Sequence, residues 1–318
     1  MVTINRQGAT FARADNNQCE LRDEPFWFSF LEPAHSALVR PFFLLAGCRD
    51  PPSPIRYLQE IVDHLAPLNT APDPDAGGGN GSVWVSFANA TVNHTDGFAL
   101  YPLWPSESLD AIDDRTVDLA TRRTAWATAR RFAKLGQGRP VLVYSAAVRA
   151  GVPASPADFP AAFTPDEILA GLQAFVRSEQ GPNFMPNLGA GAGTENLGVT
   201  QAINDMLLQA PGGRYLALFP VWPRNHSASF TSLLAKGGHL VSAEWDAGTH
   251  RVAEPVVITA TSVGDCVLLN PWPAAEGGGG AGRLSVRCPD ERVVEWDGDR
   301  AQWHMGEGER CEVIHSPL

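Results

Sequence analysis

The 318-residue chain is poor in positive charge: 24 Lys and Arg stand against 35 Asp and Glu, for a formal net charge of −11. Without a basic footprint to neutralise phosphates or anionic headgroups, nucleic acid and anionic membrane surfaces are excluded as expected partners. Long apolar runs are also missing. No stretch reaches the ~20 residues of a membrane span, and the opening Met-Val-Thr-Ile-Asn-Arg-Gln-Gly-Ala-Thr lacks the apolar run of a secretory signal. Cysteine is scarce: Cys19, Cys48, Cys266, Cys288 and Cys311 are too scattered for a disulfide scaffold, and no pair has the C-x-x-C spacing of zinc or dithiol sites. Cys266 and Cys288 fall in neighbouring candidate strands where a bridge is feasible, although buried free thiols are the commoner state. No His, Asp or Glu cluster has metal-ligand spacing, and the Gly189 to Gly193 alternation follows no strong strand, as a nucleotide fingerprint would. No metal or other cofactor is expected.

What is present divides the chain into a tail (1–22), a helical region (23–210) and a strand-rich region (211–318), in line with two domains at this length. Helical periodicity marks 24–46, 54–65, 115–134, 139–150, 165–178 and 198–209. Thr164-Pro165-Asp166-Glu167 reads as a capping box with proline in the first turn, and Ser53-Pro54 and Asp114 are further start signals. Pro33 and Pro41 kink or divide the first helix. A long insertion, 69–114, opens with a Pro-, Asp- and Gly-rich run and then regains Trp84, Phe87, Phe98, Tyr101 and Trp104, which marks its second half as ordered. After Pro211-Gly212-Gly213 the period becomes two, with strands at 214–219, 239–245, 252–261, 265–270, 283–287, 292–296 and 311–315 and a flexible glycine run at 277–280. Four acceptor sequons, at Asn80, Asn89, Asn93 and Asn225, lean toward an extracellular or secretory setting, although no compartment is assigned.

The densest signal runs from residue 183 to 273. A loop, Gly-Ala-Gly-Ala-Gly-Thr-Glu-Asn-Leu-Gly over 189–198, places one carboxylate, Glu195, among small residues ahead of an amphipathic helix. Thr194-Glu195-Asn196-Leu197-Gly198, Ala202-Ile203-Asn204-Asp205-Met206-Leu207-Leu208-Gln209, Leu218-Phe219-Pro220-Val221-Trp222-Pro223 and Gly237-Gly238-His239-Leu240-Val241-Ser242-Ala243 resemble, in order, the end of the catalytic barrel in glycoside hydrolase family 95 and its relatives. The resemblance extends from about residue 20 to the C-terminus and is thin before 100. It implies an inverting enzyme acting on α-L-fucosides or related glycosides, and a multidomain α-then-β architecture. The expected fold is a partial (α/α)6 barrel of about six helices followed by a small antiparallel β-sandwich. Because that family carries more helices and an earlier β domain, the resemblance implies the back half of a longer enzyme, with a missing N-terminal half and exposed inner helix faces.

Inversion requires an acid and a base carboxyl roughly 6.5–9.5 Å apart. The resemblance places the base in an Asp-Gly-Asn-Phe-Gly word; here Thr194 occupies the Asp position and Glu195 follows it. Glu195 is the candidate base, and capping of the following helix is its competing role. The family's general acid has no counterpart here. Glu24, Glu32, Glu60 and Glu107 each read as helix-start or solvated charges. Asn196 is a candidate for binding a sugar hydroxyl or for turning the backbone. Trp84, Tyr101 and Trp104 are candidate stacking platforms, against a competing role in loop packing, and the resemblance sets the Tyr101-Pro102 word over the barrel mouth. Trp222, Trp245 and Trp272 read as packing residues, and His94 and His226 as exposed. The expectation is therefore a truncated glycoside hydrolase, inactive alone. The alternative is a non-catalytic carbohydrate-binding or scaffold protein descended from one.

Overall fold

The computed structural model describes residues 2–3, 11–15, 18–21, 67–76, 81–94, 97–112, 117–135, 140–153, 159, 162–179, 198–272, 283–289, 292–295 and 299–316. The chain forms two units, Met1–Asn69 and Thr70–Leu318. The first contains an antiparallel meander of β1 (Val2–Thr3), β2 (Phe11–Asp15) and β3 (Gln18–Leu21), with Ala12 opposite both Val2 and Leu21. The helices expected at 24–46 and 54–65, with Glu24, Glu32 and Glu60, lie outside the described residues.

In the second unit four α-helices are described: α1 (Leu119–Leu135), α2 (Pro140–Ala150), α3 (Pro165–Glu179) and α4 (Gly198–Leu207). Helix α2 touches the other three and is buried almost all round over its last six residues, which explains why its sequence lacks a polar face. Trp126 of α1 donates its indole N–H to the carbonyls of Ala150 and Gly151, fixing α1 against the end of α2. In α3, Gly171 faces the Tyr144 ring of α2 so closely that a Cβ there would overlap it, so this mid-helix glycine permits the approach. The start of α3 is the predicted capping box: the Glu167 N–H donates to Thr164 Oγ1 at 3.2 Å and the Thr164 N–H donates to Glu167 Oε2 at 2.8 Å. Helix α1 starts later than its periodicity suggests. Asp118 caps it, accepting the Thr121 N–H at 2.7 Å, whereas Asp114 lies outside the described residues.

The expected partial (α/α)6 barrel is overturned. Among the described residues there are four helices and several antiparallel sheets, and the helical faces are closed by elements of another kind. Strands β4 (Thr70–Pro72) and β5 (Ser82–Trp84) form a short hairpin, and β5 lies on α1, where the Trp84 N–H donates to Thr128 Oγ1 at 2.9 Å. A 3-10 turn at Gly97–Leu100 packs on α1 and α2, burying Leu100 and Leu103 completely. The insertion thus supplies the apolar cover that further helices would provide in a barrel. The exposed inner faces expected of a half-barrel are accordingly not found among the described helices, where Leu119 is the one large hydrophobic residue left exposed.

The C-terminal part is strand-rich and antiparallel, as expected after residue 211. It is a seven-stranded antiparallel sheet accompanied by a two-stranded ladder. After β6 (Leu208–Gln209) and β7 (Ala217–Leu218) come β8 (Ala228–Ala235), β9 (His239–Asp246), β10 (Arg251–Val252), β11 (Val256–Ala260), β12 (Gly264–Leu269), β13 (Arg283–Arg287), β14 (Arg292–Glu295), β15 (Arg300–Met305) and β16 (Arg310–Ser316). Strands β8, β9, β11, β16, β13 and β14 lie side by side, with β10 beside β9, while β12 pairs with β15. Alternate residues point inward, as period two requires: Val241, Ala243 and Trp245 from β9, Val256 and Ile258 from β11, Cys266 and Leu268 from β12, Trp303 and Met305 from β15. Ile258, Val241, Cys266, Leu268, Met305 and Val313 share one core with full burial, each side chain contributing about 1.5–3 kcal/mol. Trp222 packs against this core and against the helical core, joining the two.

Two expectations change here. The run 252–261 is divided at Glu254-Pro255, a cis peptide, because proline cannot donate to the ladder. The feasible Cys266–Cys288 bridge is replaced by a Cys288–Cys311 disulfide, leaving Cys266 a buried free thiol. Arg287 pairs with Glu312, which sets Cys288 and Cys311 opposite one another at the next position. Strand β8 pairs only with β9 among the described residues and carries a bulge: Thr231 and Ser232 together oppose Ser242, with Ser232 at φ 53°.

Glu167 provides a pH test. Hydrogen bonds from the Arg130 guanidinium, then from the Thr164 N–H, hold its carboxyl at about 2, against an ordinary 4.5. A carboxyl lowered by folding stabilises the protein above its unfolded value and loses that contribution as pH falls toward its folded value. The stability difference between the native chain and Glu167→Gln is therefore expected to be constant above about pH 4.5 and to shrink between there and about pH 2. With nearly half of the Glu167 side chain exposed, its size should stay below ~1 kcal/mol at moderate salt. Urea unfolding across that range reads it.

Candidate functional site

Helix α2 is apolar except at Ser145 and near its end, where Arg149 sits on the face turned toward α4. Its side chain is 8 % exposed, so the guanidinium needs compensation from protein groups. Asp205 of α4 supplies it in a two-pronged pair: Arg149 Nε donates to Oδ2 and Nη2 donates to Oδ1, both at 2.8 Å. Gln201, one turn earlier on α4, donates to the same Oδ1 at 2.8 Å. Arg149 Nη2 also lies 2.8 Å from Glu107 Oε1, and Glu107 Oε2 meets Lys236 Nζ at 2.5 Å. Two acids and two bases close a neutral quartet that joins the insertion, two helices and the β8–β9 turn. Burial raises the Asp205 carboxyl above its ordinary value despite the opposing pull of Arg149, so desolvation weighs heavily in this pair.

A second ionic tie stands three residues further along the insertion. Asp110, itself buried, accepts Tyr215 Oη at 2.6 Å and Arg214 Nη2 at 2.9 Å. The aromatic segment lies just ahead of these two carboxylates. Its backbone is closed by Leu103 N–H and Trp104 N–H to the Leu100 carbonyl and by Ser106 N–H to the Tyr101 carbonyl. Ser106 Oγ and Ser108 Oγ add bonds to the Tyr101 and Pro102 carbonyls. Leu100 and Leu103 point into the core, while Tyr101 and Trp104 remain half-buried. Tyr101 meets Phe98 edge-on, with ring centroids 4.9 Å apart, and Phe98 is 46 % exposed. This is an apolar, partly open aromatic surface on a backbone fixed at both ends. Such a surface can stack on the hydrophobic face of a ring-shaped ligand.

The sequence-derived candidates separate. Glu195 and Asn196 lie outside the described residues; the description resumes at Gly198, where α4 begins. Tyr101 and Trp104 are brought together on the anchored turn. Trp84 stands apart from them in role: it is 4 % exposed and belongs to the helical core. Glu107 is neither a helix-start nor a solvated charge, because its side chain is 12 % exposed and lies between two cations. Trp245 and Trp272 are core residues, and His226 is exposed, 3.8 Å from Asp166. Arg149, Asp205, Asp110, Arg214, Tyr215 and Lys236 were not anticipated. A signal existed for two of them: Arg149 and Asp205 are single charges on otherwise apolar helical faces.

No protein-family model matches the chain, and comparison with curated proteins gives no match.

Removing Asp205 alone should leave the buried guanidinium undercompensated, with Glu107 as its remaining carboxylate partner. Asp205→Ala is expected to cost about 3–5 kcal/mol in urea unfolding, whereas Asp205→Leu combined with Arg149→Met, which removes both central charges, should cost clearly less. Equal losses in the single and double variants would show that the pair is not electrostatically coupled.

Proposed function

We propose that the chain is a glycoside-handling protein related to the inverting hydrolases of glycoside hydrolase family 95, with an α-L-fucoside or related glycoside as ligand. The anchored aromatic turn carries the reading. Tyr101 and Trp104 are half-buried aromatic residues on a backbone closed by its own hydrogen bonds, and preorganisation of this kind lowers the entropic cost of binding. Glu107 and Arg149 tie that turn to α4, the helix that follows Glu195 and Asn196 in the sequence. In this reading Tyr101 and Trp104 stack on the sugar, Asn196 binds a hydroxyl and Glu195 is the base that activates water.

Hydrolysis also requires a carboxylic acid to protonate the leaving oxygen. The buried carboxylates described, Asp73, Glu107, Asp110 and Asp205, each face Arg or Lys and serve as ionic partners. That observation favours a second reading beside the first, in which the chain binds the glycan without turning it over.

Isothermal titration with fucosylated oligosaccharides, paired with a chromogenic α-L-fucoside assay, separates the two. Binding is expected, with Trp104→Ala weakening it roughly two- to tenfold, as the loss of ~0.5–1.5 kcal/mol of ring stacking would produce. Turnover abolished by Glu195→Gln establishes the hydrolase; binding without turnover establishes the binding protein. Absence of both binding and turnover across fucosides and galactosides removes the glycoside reading altogether.

A further inference from the structure

Between β7 and β8 the backbone makes a turn over Pro223–His226, closed by the His226 N–H to the Pro223 carbonyl at 3.2 Å. Two indoles hold it from beneath. Trp222 Nε1 donates to the His226 carbonyl at 2.7 Å and Trp245 Nε1 donates to the Arg224 carbonyl at 3.2 Å. The Arg224 guanidinium lies over the Trp245 ring, 4.6 Å from its centroid. The Pro223, Arg224 and His226 carbonyls and the Arg224 guanidinium thus have partners within the protein, while Asn225 at the turn tip is exposed, as is Ser227 two residues on. Asn225-His226-Ser227 has the acceptor pattern for N-linked sugar, with no proline at its centre.

Sequons recur by chance, so the pattern needs independent support from the chain's chemistry. The Cys288–Cys311 disulfide gives it. The bond joins β13 to β16 inside the sheet, with both cysteines buried. Disulfides of this structural kind form and persist in oxidising compartments, including the lumen in which N-linked sugars are added. Burial pushes the Cys266 thiol far above its ordinary value, which leaves that cysteine a poor nucleophile for reshuffling the bridge. The other sequons are placed differently. Asn80 lies outside the described residues, Asn89 and Asn93 crowd one short segment, and Asn93 Oδ1 lies 3.4 Å from Arg131 Nη2 on α1.

We propose that Asn225 carries an N-linked glycan, added as the chain passes through an oxidising secretory compartment where Cys288 and Cys311 are joined. In the transfer, Asn225 Nδ2 forms a C–N bond to the anomeric carbon of a lipid-diphosphate oligosaccharide. The C–O bond to the diphosphate breaks, the diphosphate leaves with the bonding pair, and one amide proton passes to the transferase. In the joining of the cysteines, two thiols give two protons and two electrons to a disulfide oxidant of that compartment. The glycan stands three residues before β8. This inference does not depend on the protein binding glycosides.

The full chain, immunopurified from its natural source, is digested without reduction, treated with peptide N-glycosidase in heavy-oxygen water, and analysed by mass spectrometry. The expected result is Asn225 recovered as heavy-oxygen-labelled aspartate, with Cys288 and Cys311 in one linked peptide. Unmodified Asn225 overturns the proposal, and so does recovery of the two cysteines as free thiols. In secreting cells of the same source, Asn225→Gln and Ser227→Ala should each remove the same single step in apparent mass. A step that persists in both places the sugar elsewhere and also overturns the assignment.

Discussion

Arg149 carries a charge almost out of reach of water, and the arrangement around it follows from the need to neutralise that charge. A guanidinium in such a place is tolerable only if anions are held at hydrogen-bond distance with their remaining lone pairs satisfied. Asp205 approaches from α4, Glu107 from the insertion, and Gln201 and Lys236 complete the acids' partners. Four separate parts of the second unit therefore have to be in register before any one of these groups is stable. The raised Asp205 carboxyl indicates that the quartet is costly in desolvation. Its contribution is better understood as specification of one arrangement than as a large share of the stability, which comes from the two apolar cores.

The insertion gains its order from that constraint. A segment of this length, rich in Gly, Pro and Asp at its start, has little intrinsic reason to settle. Two carboxylates only three residues apart, Glu107 and Asp110, fasten it to the bundle and to the start of the strand-rich region, and Leu100 and Leu103 plug it into the helical core. The aromatic residues between these anchors are then displayed by a scaffold. The backbone of Glu107 itself is left-handed, at φ 53°, a conformation that non-glycine residues adopt at some cost and that the surrounding ion pairs enforce.

Local features were the most legible in the sequence. The capping box at Thr164, the late helices and most sheet strands follow from caps and periodicity, because those signals act over a few residues. The fold class did not follow. Helical periodicity announces helices but not what covers them, and the cover here is a hairpin and 3-10 turns with no period of their own. Strand β8 escaped because its alternation breaks at the bulge, where Thr231 and Ser232 are both exposed. The sequence favours free thiols and offers Cys266 as a feasible partner for Cys288, but strand order is a tertiary property: the β13–β16 register sets Cys288 beside Cys311. Of the candidate site, the aromatic turn was legible as a run of large rings, whereas the quartet depends on ion pairs between residues far apart in the chain, such as Arg149 with Asp205 and Lys236 with Glu107, which no local pattern encodes.

The kink in β8 bears on how copies of this protein meet one another. A strand paired on one side only, as β8 is among the described residues, presents a row of backbone donors and acceptors on which a neighbouring molecule can lay down its own strand. Here the row is broken in its middle, where two residues stand opposite one and Ser232 gives its N–H to the Ser242 hydroxyl. Only three residues of regular ladder remain on either side of the break, too few to template a stable added strand. Crowding at high concentration is therefore resisted by the backbone itself, without a protective charge on the strand.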